Sequence, residues 1–181
     1  MKKIKVNSTI ANDIEKLLID PYFDWYYNGS TSFEGKHLDS PDTFQFVHTF
    51  YGEDRDLISP YFKNVLRLID STGIKYTKIF RVKANFTTPS NSLKNNYQLI
   101  HTDRNQNNFV SFLYYVNDSD GDTIFFDKDE NEFKRIKPKK GTGILFKSNI
   151  NHSGSNPINS DKRIVINFIL YEWRISRKSK S

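Results

Sequence analysis

Apolar positions recur at helical spacing twice near the start of this chain and at strand spacing over most of the rest. Ile10, Ile14, Leu17 and Leu18 form a stripe that predicts a short helix over 9–20, stopped by Pro21. Phe62, Val65, Leu66 and Ile69 predict a second helix over 59–70, with Ser59 as its cap, Pro60 at its first position and the Gly73 region ending it. Between them, TFQFVHTFY at 43–51 alternates, with Phe44, Phe46, His48 and Phe50 on one side. That is a strand pattern, and His48 on its apolar side reads as a hydrogen-bonded core histidine. Residues 22–36 are aromatic and then Gly/Ser-rich, a loop or short strands. From residue 76 the period is two. Strands are expected over 76–86, 97–102, 108–117, 123–127, 133–136, 143–147 and 163–174. A loop over 87–96 and turns over 118–122, 137–143 and 152–161 separate them.

Helices first and then a run of short strands, with no regular βα alternation, argue against a doubly wound nucleotide fold. No Gly-rich phosphate loop is present either. The expected fold is mostly β with N-terminal helices, built on a double-stranded β-helix (jelly roll, cupin-like) core. With 181 residues and no evident linker or repeat, a single domain spanning 1–181 is expected. In it, helical support lies at about 9–70, the β core at about 76–173 and a basic tail at 174–181. The 15 Phe and 10 Tyr favour a compact sheet-rich core.

The chain has no Cys, which excludes disulfides and thiolate metal sites and fits a reducing compartment. No leader-like apolar region and no membrane-length apolar run occur, so a cytoplasmic protein of a microbe or virus is expected. The formal charge is +6. Much of it sits in Lys134, Arg135, Lys137, Lys139 and Lys140 and in Arg174, Arg177, Lys178 and Lys180. Such clusters attract nucleic acid or acidic proteins, but they are more simply a solvated turn and a frayed terminus.

The candidate chemistry lies in His101-Thr102-Asp103 and in His152, followed by Arg163. Residues two apart on a strand face the same way, so His101 and Asp103 can share one barrel mouth. His152, in a turn after the 143–147 strand, can be carried to the same place. Two imidazoles and a carboxylate are the facial set that holds ferrous iron with open positions remaining. The His-x-Asp pair taken alone also reads as two surface strand-end residues sharing a hydrogen bond.

Four stretches, in order, resemble the iron(II)/2-oxoglutarate-dependent dioxygenases of the prolyl 4-hydroxylase-like family. They are YQLIHTD (97–103), SFLYYVNDSDGDTIFF (111–126), KPKKGTGILFKS (137–148) and NHSGSNPINSDKRIVINFILY (151–171). The resemblance implies that His101, Asp103 and His152 ligate Fe(II) as the catalytic set. It implies that Arg163 pairs with the distal carboxylate of 2-oxoglutarate, a planar fork meeting a carboxylate. Tyr115 would donate its hydroxyl to the same carboxylate, and Ser111, of the same parity, would also face the site. Tyr114 would pack on the opposite face. Arg81, Asn85 and Tyr97 are candidates for the substrate pocket. One departure stands out: Asp120-Gly121 replaces the usual Gly-Gly before the acidic residue and threonine, here Asp122-Thr123.

The same resemblance implies oxidative decarboxylation of 2-oxoglutarate to succinate and carbon dioxide, with O2 consumed, ascorbate as an accessory reductant, and hydroxylation of an unactivated C–H bond. The expected substrate is an amino-acid residue, prolyl by preference, in a peptide or protein, with a free amino acid as the smaller alternative. The loops at 28–42 and 87–96 would lie over an extended peptide. An AlkB-like nucleic-acid demethylase is a rival reading, disfavoured because its second arginine is replaced here by Ile169. A non-catalytic module binding nucleic acid or protein through its basic patches is another. The sequence leaves the oligomeric state open.

Overall fold

A computed structural model describes residues 1–29, 44–55, 57–90 and 97–172. The basic tail from Arg174 onward lies outside them, as does most of the 28–42 loop and residues 91–96 of the 87–96 loop. In chain order the elements are β1 (Lys2–Lys5), α1 (Ser8–Ile19), β2 (Tyr26–Asn28), β3 (Gln45–Gly52), a 3-10 turn (Glu53–Arg55), β4 (Leu57–Ile58) and α2 (Phe62–Asp70). Then follow β5 (Tyr76–Thr87), β6 (Phe109–Tyr115), β7 (Thr123–Phe126), β8 (Glu132–Ile136), β9 (Thr142–Lys147), β10 (His152–Gly154) and β11 (Arg163–Glu172).

The strands form two antiparallel sheets. The larger is ordered β1-β9-β6-β11-β5-β3-β2, with β4 paired to β3. The smaller is ordered β10-β7-β8, and a single rung between His101 and His152 extends it at the β10 edge. This is the jelly roll expected from the pattern, with the helices on one side.

Alternation along the large sheet sends its side chains to two different cores. Phe112, Tyr114, Val116, Ile164, Ile166, Phe168 and Leu170 face away from the small sheet. They pack with Ile14 and Leu18 of α1 and with Val65, Leu68 and Ile69 of α2. Leu113, Tyr115, Ile144, Phe146 and Val165 face the small sheet and meet Phe125 of β7. Each such side chain, fully buried, contributes roughly 1.5–3 kcal/mol. The functional residues share this second face, so the first core sets the frame and the second sets the floor of the site.

The N-terminal part differs from its expected outline. It is not all helical: β3 is an interior strand of the large sheet, paired to β5, and β2 extends the edge. The first helix begins at Ser8, where the Asn7 side chain accepts the Thr9 amide at 2.9 Å. The second begins at Phe62 rather than Ser59. Ser59 accepts the Tyr61 amide in a turn, and its hydroxyl meets His48 Nε2 at 2.8 Å. His48 Nδ1 lies 2.7 Å from the Asp24 carbonyl, so this histidine is the satisfied core residue expected. In α2 the buried positions include Leu68, with Leu66 only partly covered. The strand expected at 97–102 is reduced to the one rung at His101 and a single further bond, from the Gln98 amide to the Gly154 carbonyl of β10 at 2.9 Å.

The basic run at 134–140 is largely neutralised within the fold. Lys139 pairs with Asp118, Lys140 with Glu15, and Arg135 with Glu132 at 2.6 Å and with Asp122 at 3.4 Å. No helix among the described residues is long and apolar enough to cross a membrane.

Candidate metal centre

The three candidate ligands converge. One ligand atom from each of His101, Asp103 and His152 lies within 4.8 Å of the others. His152 Nε2 is 3.8 Å from Asp103 Oδ2, a gap one ion can close with bonds of about 2.1 Å. The backbone sets this up. His101 and His152 exchange both amide hydrogen bonds, at 3.0 and 2.9 Å, so their rings leave paired positions and sit 4.5 Å apart. His152 opens β10 rather than occupying a turn.

Each ring is oriented by a carbonyl. His101 Nδ1 meets the Leu99 oxygen at 3.0 Å, and His152 Nδ1 meets the Ile150 oxygen at 2.9 Å. A carbonyl only accepts, so both Nδ1 atoms carry a proton, and in the neutral ring Nε2 is the nitrogen left with a free lone pair. That is the tautomer a metal requires.

Asp103 is held from both sides. Ser111 Oγ donates to Oδ2 at 2.5 Å, and Ser148 Oγ stands 2.8 Å behind Ser111. Asn167 Nδ2 donates to Oδ1 at 2.7 Å, and Arg81 lies 3.9 Å from that oxygen. Burial alone would raise this carboxyl. His152, His101, Arg81 and the Ser111 hydroxyl together hold it below the usual carboxylate value, so it is anionic.

Burial, with His152 beside it, lowers His101 to about 4. In the unfolded chain a histidine titrates near 6.5. Between these values the unfolded chain binds a proton that the fold refuses. The stability this group contributes is therefore complete above pH 6.5 and lost as pH falls toward 4, about 3 kcal/mol in all. Urea titrations of metal-free protein at pH 7 and pH 4.5 should show this loss, and His101→Gln should show much less of it. Equal losses in the two proteins would remove His101 as its source.

Arg163 enters the same interior from the start of β11. Its Nε donates to the Gly121 carbonyl at 2.7 Å and one terminal nitrogen donates to Thr123 Oγ1 at 2.9 Å. Tyr115 donates its hydroxyl to the same Thr123 oxygen at 3.0 Å. Burial lowers the guanidinium, though Tyr115 and Asp122 oppose the shift. Among the described residues no carboxylate lies within ion-pair distance of it. A buried cation without a partner is costly, and an anion in the adjoining space would relieve it.

Two glycines make the room. A methyl at Gly154 would stand 3.3–3.4 Å from the guanidinium, and one at Gly121 would stand 2.6 Å from the Ser155 carbonyl and 2.8 Å from Arg163 Cδ. Gly154 is the second residue after His152 on β10, a rise of roughly 7 Å. That is of the order of a short dicarboxylic acid between a metal and a guanidinium. The donor set and an arginine with no acidic partner among the described residues thus fit Fe(II) with 2-oxoglutarate.

Asp120, the departure from Gly-Gly, has a definite task. Its carboxylate accepts the Ile158, Asn159 and Ser160 amides at 3.2, 2.7 and 3.1 Å. It ties the turn carrying Gly121 to the loop between His152 and Arg163.

The remaining candidates divide. Ser111 touches Asp103, so its contact is to the carboxylate ligand. Tyr115 is at Arg163's pocket through Thr123, and Tyr114 faces the other core. Arg81 and Asn85 share the site face of β5, opposite Ile169 and Val165 of β11. Tyr97 packs on Phe126, with ring centroids 5.1 Å apart. Sequence reasoning missed Asn167 and Ser148 as partners of the carboxylate side, Thr123 as a partner of Arg163, and Thr87, whose buried hydroxyl lacks a partner and which pairs with Arg163 in register. The parity of Asn167 with Arg163 was a usable signal.

Residues 89–171 match the family described as the 2OG-Fe(II) oxygenase superfamily. No curated protein matches the chain. Among solved structures, a prolyl hydroxylase from Trichoplax adhaerens, in complex with a peptide fragment of the hypoxia inducible factor oxygen degradation domain, superposes with a TM-score of 0.66. The identity is 14%, over 94% of this chain and 83% of that one. A non-heme α-ketoglutarate-dependent carbocyclase of nogalamycin biosynthesis gives 0.66 at 7% identity, over 94% and 78%. A 2OG-Fe(II) oxygenase family oxidoreductase from Burkholderia pseudomallei gives 0.55 at 14% identity, over 71% and 66%. These likenesses establish the fold. Residues 89–171, which carry the two histidines, the aspartate and the buried arginine, are thus similar to the 2OG-Fe(II) oxygenase superfamily, whose members use Fe(II), 2-oxoglutarate and O2.

Proposed function

We propose that this protein, as one domain over 1–181, hydroxylates an amino-acid residue, prolyl by preference, in a peptide or protein. The observation that carries the reading is a buried arginine without an acidic partner on the same interior face as two histidines and an aspartate within 4.8 Å of one another. His101, Asp103 and His152 would hold Fe(II), and Arg163 would hold the far carboxylate of 2-oxoglutarate. Thr123 and Tyr115 would complete that end. Iron(II) with 2-oxoglutarate and O2 supplies oxidative decarboxylation coupled to C–H hydroxylation. The chain's own contribution is to fix the three ligands in the correct tautomers and charge, orient the acid, and keep water from the interior.

Support for a peptidyl substrate comes from the fold shared with the Trichoplax prolyl hydroxylase, which was solved with a peptide. Arg81, Asn85 and Tyr97 would meet the substrate from the side of β5 and of the segment before His101. The AlkB-like alternative is weakened because Ile169 is fully buried beside Phe80 and Phe109. Pairing of Arg135, Lys139 and Lys140 with acids weakens a nucleic-acid role for that patch.

The test is incubation of the purified protein with Fe(II), 2-oxoglutarate, ascorbate and proline-containing peptides. Succinate release together with a gain of one oxygen on proline supports the reading. Succinate release with the oxygen on another residue or a small molecule would retain the oxygenase and discard prolyl specificity. Absence of both metal uptake and turnover would discard the oxygenase and favour a binding module.

A further inference from the structure

We infer that Asn167 is a positioning residue whose task is to aim the Asp103 carboxylate at the metal. The inference rests on the metal site proposed above. Asn167 lies on β11, four residues beyond Arg163 on the same face, with Leu113 of β6 and Lys83 of β5 as its register neighbours. It is 6% exposed. Its Nδ2 donates to Asp103 Oδ1 at 2.7 Å, and its own Oδ1 is buried with no hydrogen-bond partner among the described residues.

That imbalance is informative. A buried acceptor left unpaired works against the fold, and an apolar side chain would serve the interior of the sheet better. Among the described residues the carboxamide makes a single hydrogen bond, and that bond goes to a prospective ligand. Ser111 secures the other oxygen of the same carboxylate. Since the Ser111 proton points to Asp103, Ser148 must be the donor in the Ser148–Ser111 bond. The two arms differ in what they give the fold. Ser111 is tied into a serine pair, whereas Asn167 makes no other side-chain hydrogen bond among the described residues.

With both oxygens held, the carboxylate cannot rotate, and Oδ2 stays turned toward His152 Nε2. Loss of the Asn167 arm would free it to turn. Partners of this kind typically change metal affinity about 10–100-fold.

The experiment compares wild type with Asn167→Leu and Asn167→Ala. It reads metal-free thermal stability, Mn(II) affinity by anaerobic calorimetry, and the Mn(II) electron paramagnetic spectrum. The expected result for Asn167→Leu is unchanged or raised metal-free stability, Mn(II) binding weakened about 10–100-fold and an altered spectrum. Asn167→Ala, which cannot overpack, should show the same loss of affinity. Wild-type affinity and spectrum in both variants would overturn the inference, as would a loss of affinity fully matched by a loss of metal-free stability. Failure of wild type itself to bind Mn(II) or Fe(II) would instead overturn the metal site.

Discussion

Asp103→Ala is expected to weaken Fe(II) binding by well over 100-fold and to abolish succinate release. Loss of an outer partner alone typically costs 10–100-fold, and this change removes a ligand outright. Asp103 supplies the only carboxylate of the three-residue cluster and the charge that complements the cation. Two imidazoles alone would remain. The substitution also strips partners from Ser111 and Asn167, so Asp103→Asn is the companion variant. It keeps the shape and most of the packing but loses the negative charge. Calorimetric titration with Fe(II) or Mn(II) under anaerobic conditions checks both. Wild-type affinity in Asp103→Asn and Asp103→Ala would end the assignment of this residue as a ligand.

Arg163→Met is expected to act on the other component. Removing one partner of a buried ion pair costs about 3–5 kcal/mol, which corresponds to an affinity loss for 2-oxoglutarate on the order of 10²–10⁴-fold. Metal affinity without 2-oxoglutarate should stay near wild type. Metal-free stability should change little: a desolvation burden disappears, while the Gly121 carbonyl and Thr123 hydroxyl lose a donor. Methionine preserves the apolar stem that lies against Gly121. The check is the 2-oxoglutarate concentration dependence of succinate release, alongside direct binding in the presence of Mn(II). An unchanged dependence would separate Arg163 from the acid.

The features legible in the sequence were those set by local periodicity. Strict alternation places Ser111 and Tyr115 toward the site and Tyr114 away from it, and the structure has them so. Helical spacing marked α1 to within a residue at each end. What escaped depended on distant partners. β10 is three residues long, and His-Ser-Gly carries no alternation to read; it becomes a strand because β7 accepts it. The 97–102 stretch alternates well enough but meets β10 only through the His101–His152 rung and one bond from the Gln98 amide to the Gly154 carbonyl. Lys2–Lys5 forms a strand on the β9 edge with its lysines exposed, a composition that resembles a terminus until a neighbour is known. Ser59 and Pro60 look like a helix start, yet the hydroxyl is used by His48 across the chain. Asp120 was visible as a departure from pattern, while its three amide partners, a full loop away, were not.

The mutual rung between His101 and His152 makes the outermost register of the small sheet and the ion-binding set one object. An ion seated on both imidazoles would clip that sheet margin shut, and its departure would leave the two peptide bonds of the rung, with the contacts of Gln98 to Ser153 and Gly154 beside them, to resist fraying. Deuterium uptake at these two amides would then act as a gauge of how much of the protein carries its ion, legible without any turnover.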